Sequence, residues 1–346
     1  MAEQRRFLTA VRRTVSATLS SLRTLLPAAA AFLLWQGEAR ATHAMGGDIT
    51  YECLGNNQYR VNMSFFRDCN GVAAPTNCTN GLQFTVRSTA CGASINACFV
   101  LQNVQIVTPI CPGAVDRCSN ASGVYGVERY RYSAVVNLSQ WAGCGTDWNI
   151  EWELCCRNNA ITSLNNPGGR NLYLNARLNN TITPCNSSPR FLNDPVPFGC
   201  VGQPIVYNHG VSDLAGDSLR FELAPARGAS GATIPYTNGY TFTQPVVTSG
   251  GANAVTIDPA TGTIRFTPSI AQFAVVTVLV REFRNGVQIG SYTRDLQFAI
   301  IACNNNNPSA SGINNTNSYV YDVCAGTNFC FTLNSTDQDV AQNVTM

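Results

Sequence analysis

The cysteines constrain this chain more than any other feature: there are 15, every one follows residue 41, and all but Cys303, Cys324 and Cys330 fall between Cys53 and Cys200. A block made of Cys53, Cys69, Cys78, Cys91, Cys98, Cys111, Cys118, Cys144, Cys155, Cys156, Cys185 and Cys200 either forms disulfides in an oxidising compartment or holds metal. Zinc ribbons use two short Cys-x-x-Cys pairs, whereas the spacings here are longer, as in Cys91 to Cys98 and Cys111 to Cys118. Disulfides are the expectation, with one thiol left over because the total is odd. Cys155 and Cys156 follow a strand-like run, where neighbours point to opposite faces, so each is expected to bridge to a different partner.

The N-terminus points to the same compartment. Arg5, Arg6, Arg12, Arg13 and Arg23 precede the apolar run "LLPAAAAFLLW" at 25–35 and then Ala39-Arg40-Ala41. A basic start, a short apolar stretch and an A-x-A site read as a secretory signal over residues 1–41. The apolar stretch is too short for a ~30 Å hydrocarbon core, so no transmembrane span is expected after cleavage.

Charge and residue types narrow the chemistry. All 22 basic residues are arginine, charged residues make up 12% of the chain, and the net charge is +2, too small to suggest a nucleic-acid partner. The lack of lysine removes a P-loop lysine, a Schiff-base lysine and a Ser/Lys pair. The histidines are His43 and His209, so a Ser-His-Asp or Cys-His arrangement must rest on His209, which otherwise reads as a strand-end residue.

Helical periodicity is nearly absent beyond residue 41. "DITYECL" and "QYRVNMSFF" flank Gly55-Asn56-Asn57 and read as a hairpin. In the second run Tyr59, Val61, Met63 and Phe65 share one face, while Arg60, Asn62 and Ser64 share the other. "YRYSAVVNL" and "RNLYLNARL" repeat this alternation. "VTIDPATGTIRFTP" reads as a hairpin, and Asn285-Gly286 joins two long strands in "FAVVTVLVREFRNGVQIGSYTRDLQFAII". The fold class predicted is all-β, tandem antiparallel sandwiches of immunoglobulin/cadherin-like type with the first disulfide-rich.

Prolines accumulate in "NSSPRFLNDPVPFGC", which suggests a boundary between a cysteine-rich sandwich over 42–190 and a second sandwich over 191–303. A linker and the opening of a further repeat are expected over 304–346. Aligning Cys200 with Cys324 brings Gly202 to Gly326, Tyr207 to Phe331, Ser212 to Thr336 and Asp213 to Asp337. That last copy has too few strands to bury a core, so the sequence is expected to be a fragment of a longer chain.

Two acidic sets could carry chemistry. Asp213 and Asp217 could offer oxygen ligands to Ca²⁺, or could cap the backbone of a tight turn. In "DWNIEWELCC", Glu151 and Glu153 share a strand face about 7 Å apart. That separation suits an inverting glycosidase, but two acids on one strand lie side by side rather than flanking a bond, so a solvated polar face is the alternative.

"THAMGGDITYECLGNNQYRVNMSFFRDCNG", residues 42–71, resembles the mature start of large secreted, multi-repeat surface proteins of the Bacteroidota, often labelled gliding-motility-associated or type IX secretion cargo. "CVGQPIVYNHGVSDLAGDSLRFEL" and the hairpins that follow look like their first cadherin-like or polycystic-kidney-disease-like repeat. The resemblance implies a modular adhesin-type protein with calcium at repeat junctions, where Asp213 and Asp217 are the matching positions. It departs from the cadherin pattern at the linker, where 304–307 is a plain asparagine run.

The expected function is non-enzymatic: a secreted or cell-surface adhesion or structural protein whose partners are extracellular protein or glycan surfaces. The alternative is a set of accessory, glycan-binding modules of a secreted carbohydrate-active enzyme whose catalytic domain lies beyond residue 346.

Overall fold

The computed structural model describes residues 43–108, 115–123, 125–303, 308–316, 318–319, 322–323, 330–337 and 339. The expected signal, Cys111, the run at 304–307, Cys324 and Gly326 lie outside the described residues.

The strands are β1 (Ala44–Gly55), β2 (Gln58–Asp68), β3 (Gln83–Ser88), β4 (Ala93–Cys98), β5 (Val100–Ile106), β6 (Val127–Asn137), β7 (Trp148–Leu154), β8 (Leu172–Leu178), β9 (Arg190–Phe191) and β10 (Phe198–Cys200). They continue as β11 (Ile205–Tyr207), β12 (Val211–Ser212), β13 (Ser218–Ala224), β14 (Thr256–Ile257), β15 (Ile264–Phe266), β16 (Gln272–Arg284), β17 (Val287–Ile301), β18 (Ser309–Ala310) and β19 (Ser335–Thr336). Helical segments among the described residues are single 3-10 turns, so the all-β reading holds.

Alternation places the strands as the sequence predicts. Tyr59, Val61, Met63 and Phe65 are buried on β2, as are Leu172, Leu174, Ala176 and Leu178 on β8. The predicted turns form where asparagine and glycine tolerate positive φ. Asn56 and Asn57 (φ 51° and 55°) link β1 to β2, and Asn285 and Gly286 (φ 52° and 80°) link β16 to β17. Both are two-residue loops with positive φ at each position, the conformation that matches strand twist in a tight hairpin.

The main sheet follows the path β4-β3-β7-β8-β17-β1-β2-β6-β5, with β16 and then β13 branching from β17. Its two ends, β4 and β5, are separated in the chain by Phe99 alone, which is buried and stacks on Phe84. The path therefore folds back on itself: Phe65 of β2 meets Trp152 of β7 across the core with ring centroids 5.7 Å apart. A three-stranded sheet, β11-β15-β14, packs Phe266 against Phe298 of β17.

β17 joins the two parts of the chain. One edge pairs with β16 throughout, while the other meets β8 at Gly290–Tyr292, β1 at Asp295 and β10 at Ala299–Ile301. The expected boundary at residue 190 thus falls between strands that share one sheet, and one buried cluster runs from Trp148 and Trp152 to Leu296 and Phe298. The proline-rich segment has a structural role instead. The carbonyls of Pro195 and Pro197 accept from the N–H groups of Gln297 and Ala299, so prolines that cannot donate still partner an edge of β17.

Disulfides join Cys53 to Cys185, Cys69 to Cys118, Cys78 to Cys98, Cys91 to Cys144, Cys155 to Cys156, and Cys200 to Cys303. The expectation of separate partners for Cys155 and Cys156 is corrected: they bridge to each other. β7 ends at Leu154, so the alternation of a strand no longer separates their side chains, and their peptide bond is cis. Cys330, also a disulfide candidate, is a free and exposed thiol, since every other described cysteine is already paired.

Candidate functional site

The aspartates singled out in the sequence stand on the turn between β12 and β13. Asp213 Oδ1 accepts from the backbone N–H of Ala215 at 2.9 Å and of Asp217 at 3.0 Å, the turn that a short carboxylate builds on its own backbone. Asp337, its counterpart in the aligned copy, accepts in the same way from Asp339 N–H at 2.8 Å. The aligned aromatic positions differ: Tyr207 is buried and Phe331 exposed.

The turn brings Asp217 to the end of β16, where Arg284 grips it with Nε on Oδ1 at 2.7 Å and Nη2 on Oδ2 at 2.6 Å. Such a fork is among the stronger ion-pair geometries. β16 adds a third acid, Glu282, fully buried, and ligand oxygens of Asp213, Asp217 and Glu282 lie within 4.8 Å of one another. Glu282 Oε1 accepts from Asn186 Nδ2 at 2.9 Å, and Oε2 accepts from the Tyr292 hydroxyl. The Tyr51 hydroxyl sits 2.9 Å from that of Tyr292 and donates to the Arg177 carbonyl at 3.4 Å.

Burial, helped by the charges of Asp213 and Asp217, pushes the Glu282 carboxyl up to about 7. The hydrogen bonds from Arg284 hold Asp217 below the usual carboxylate range. Near neutrality Asp217 therefore stays ionised against Arg284, and Glu282 is partly protonated. Asp213 Oδ2 is a buried oxygen without a hydrogen-bond partner. Ca²⁺ prefers six to eight oxygens, and here it would compete with Arg284 for Asp217 and with Asn186 and Tyr292 for Glu282. As built, the cluster ties the β12–β13 turn, β16, β17 and the segment at Asn186 together.

Glu282 was legible as an anomaly. It lies in phase with Val276, Val278 and Val280, on the inward face of an apolar strand, where a carboxylate signals a buried polar network.

The other candidates are held structurally. Glu151 forms an ion pair with Arg87 and accepts from Asn149 Nδ2 and the Tyr173 hydroxyl, each at 2.7 Å. Glu153 accepts from Ser230 N–H at 2.6 Å. His209 is fully buried, stacked on Phe221, with Nδ1 3.0 Å from Arg294 Nη1. Burial and the neighbouring guanidinium lower its pKa to about 3, so it stays neutral and accepts from Arg294.

Disulfides and antiparallel sheets over one continuous core define a crosslinked all-β protein. No protein-family model and no curated protein matches the chain. Among solved structures it is similar to "Titin Ig tandem domains A164-A165", at 8% identity and a TM-score of 0.18, over 75% of this chain and 99% of that one. A second titin structure, "Anomalous substructure of Titin-A168169", is similar at 8% identity and TM-score 0.18, over 74% and 100%. Likenesses this shallow carry no argument about function. No helix among the described residues is long and apolar enough to cross a membrane.

Proposed function

We propose that this chain is a non-enzymatic secreted or cell-surface protein that works by contact, presenting its β-sheet faces to extracellular protein or glycan surfaces. One observation carries the reading: the side chains that the sequence offers for chemistry are occupied in holding strands together. Glu151 and Glu153 are bound to Arg87 and Ser230, Asp217 to Arg284, and His209 to Arg294. Six disulfides among the described residues suit a protein that must persist where reductants are scarce. The test is attachment of the purified, non-reduced chain to cell or matrix surfaces, alongside a panel of glycoside and peptide substrates. Saturable attachment with no turnover is expected; turnover of any substrate, lost on Glu151→Gln or Glu153→Gln, would overturn the reading.

A further inference from the structure

The outward face of β1, β2 and β6 forms the floor of a groove of about 560 Å³, walled on one side by the segment from Ser187 to Leu192. That volume lies within the ~300–1,000 Å³ usual for small-ligand sites. Strand register fixes the floor as three rows across the sheet: Glu52, Arg60 and Val135; then Thr50, Asn62 and Ser133; then Asp48, Ser64 and Arg131. By strand geometry the rows are about 7 Å apart and neighbours within a row about 4.8 Å apart.

The charges do not cancel. Arg60 pairs with Glu52 at 3.0 Å, and Asp48 is committed to Arg294 at 3.1 Å beneath the floor. Arg131 on the floor and Arg190 on the wall hydrogen-bond to no protein group among the described residues. Between them Thr50, Asn62, Ser64 and Ser133 offer hydroxyl and amide groups that no hydrogen bond among the described residues engages. Six polar side chains without hydrogen-bond partners thus converge on one concavity, and its two arginines form no ion pair, although Arg131 feels the charge of Asp48 in its own row.

That chemistry selects the ligand. Each floor strand is flanked on both sides, β1 by β2 and by β17 at Gly47 with Ser187 and Ser188 beyond it, β2 by β1 and β6, β6 by β2 and by β5 as far as Ser133, so the floor offers little open backbone edge to an added peptide strand. Two arginines are too few to track a nucleic-acid backbone. Neutral donors and acceptors in rows suit sugar hydroxyls, and a free guanidinium suits a carboxylate, which it can bind bidentately. We propose that this groove binds a carboxylate-bearing saccharide, with Arg131 and Arg190 on the acid groups and Thr50, Asn62 and Ser133 on ring hydroxyls. This rests on the contact-protein reading and supplies its ligand.

The experiment titrates the full chain with a short oligogalacturonate, its methyl ester and polyglutamate by calorimetry. The acid sugar is expected to bind, and methyl esterification or the double change Arg131→Gln, Arg190→Gln to weaken it about tenfold or more. Asn62→Ala with Ser133→Ala is expected to weaken it several-fold. None of these side chains has a hydrogen-bond partner among the described residues, so the variants should melt close to the parent. No binding of oligogalacturonate, equal binding of polyglutamate, or affinity unmoved by both sets of changes would overturn the proposal. Failure here with surface attachment intact removes the ligand and leaves the contact-protein reading; binding accompanied by turnover of the oligogalacturonate does the reverse.

Discussion

The loops of the first 200 residues and the seam around β17 are held by different forces. In the loops the bridges sit at or beyond the ends of strand pairing: Cys69 with Cys118 and Cys91 with Cys144 join turns outside the ladders, and Cys78 in a 3-10 turn is tied to Cys98, the last residue of β4. Along β17 the ladder is continuous, and the crosslinks are ionic. Arg157 forks onto Asp295 with both contacts at 2.8 Å, Thr277 adds a hydroxyl, and Arg294 reaches Asp48 and His209. The difference follows from what each place lacks. A loop lacks partners, and a covalent link limits how far its unfolded form can spread. The seam has apolar contact in excess but joins strands distant in sequence, and a buried charge pair fits one register only. Buried pairs add little net stability over apolar residues of the same shape.

Breaking the seam should have the largest effect. Arg157 and Asp295 are essentially unexposed, so Arg157→Ala leaves a bare carboxylate in the core and should cost about 3–5 kcal/mol in urea unfolding. Changing both partners to apolar residues, Arg157→Met with Asp295→Leu, should recover much of it. A single change costing under about 1 kcal/mol would show that water reaches the pair and that the seam is not ionic in the sense described.

The loops should respond next, and in order of loop length. The Cys53–Cys185 bridge spans a separation of 132 residues and Cys78–Cys98 one of 20. Replacing either pair with serine should cost about 2–4 kcal/mol, and the chain-entropy model makes the longer loop about 1.7 kcal/mol more costly. Equal losses in denaturant would mean that local packing around the bridges, and not the spread of the unfolded chain, sets their worth.

The sequence reveals the two regions unequally. Strands, hairpins and disulfide-forming cysteines are legible because period-two burial, Asn-Gly turns and cysteine spacing are local. The partners of β17 are not, because it is buried on both faces although its sequence mixes polar and apolar residues, and nothing local in it says which strands will flank it. The prolines at 195 and 197 misled for the same reason, marking a break in hydrogen-bond donation rather than in packing. Asp213 and Asp217 were found through their turn spacing, whereas Glu282, Arg284 and Asn186 meet them only through the fold.

The smallest effect belongs to the acidic cluster, where seam and loop meet. Glu282 is raised from 4.5 to about 7 by burial and by Asp213 and Asp217, with Arg284, Asn186, Tyr292 and Tyr51 around it. Below about pH 4.5 folded and unfolded chains both keep the proton, and the group adds no pH dependence. Between there and about 7 the unfolded chain releases it first, so stability falls as pH rises; above that window the loss is constant. The fall should be at most about 3 kcal/mol, and Glu282→Gln, which has no proton to lose, should flatten it. Chelating calcium should leave this profile unchanged if Arg284 is the cation that balances the cluster. A chelator that lowers the melting temperature and steepens the fall would place Ca²⁺ on Asp213, Asp217 and Glu282 instead, because a metal favours the ionised carboxylates and its removal restores their penalty.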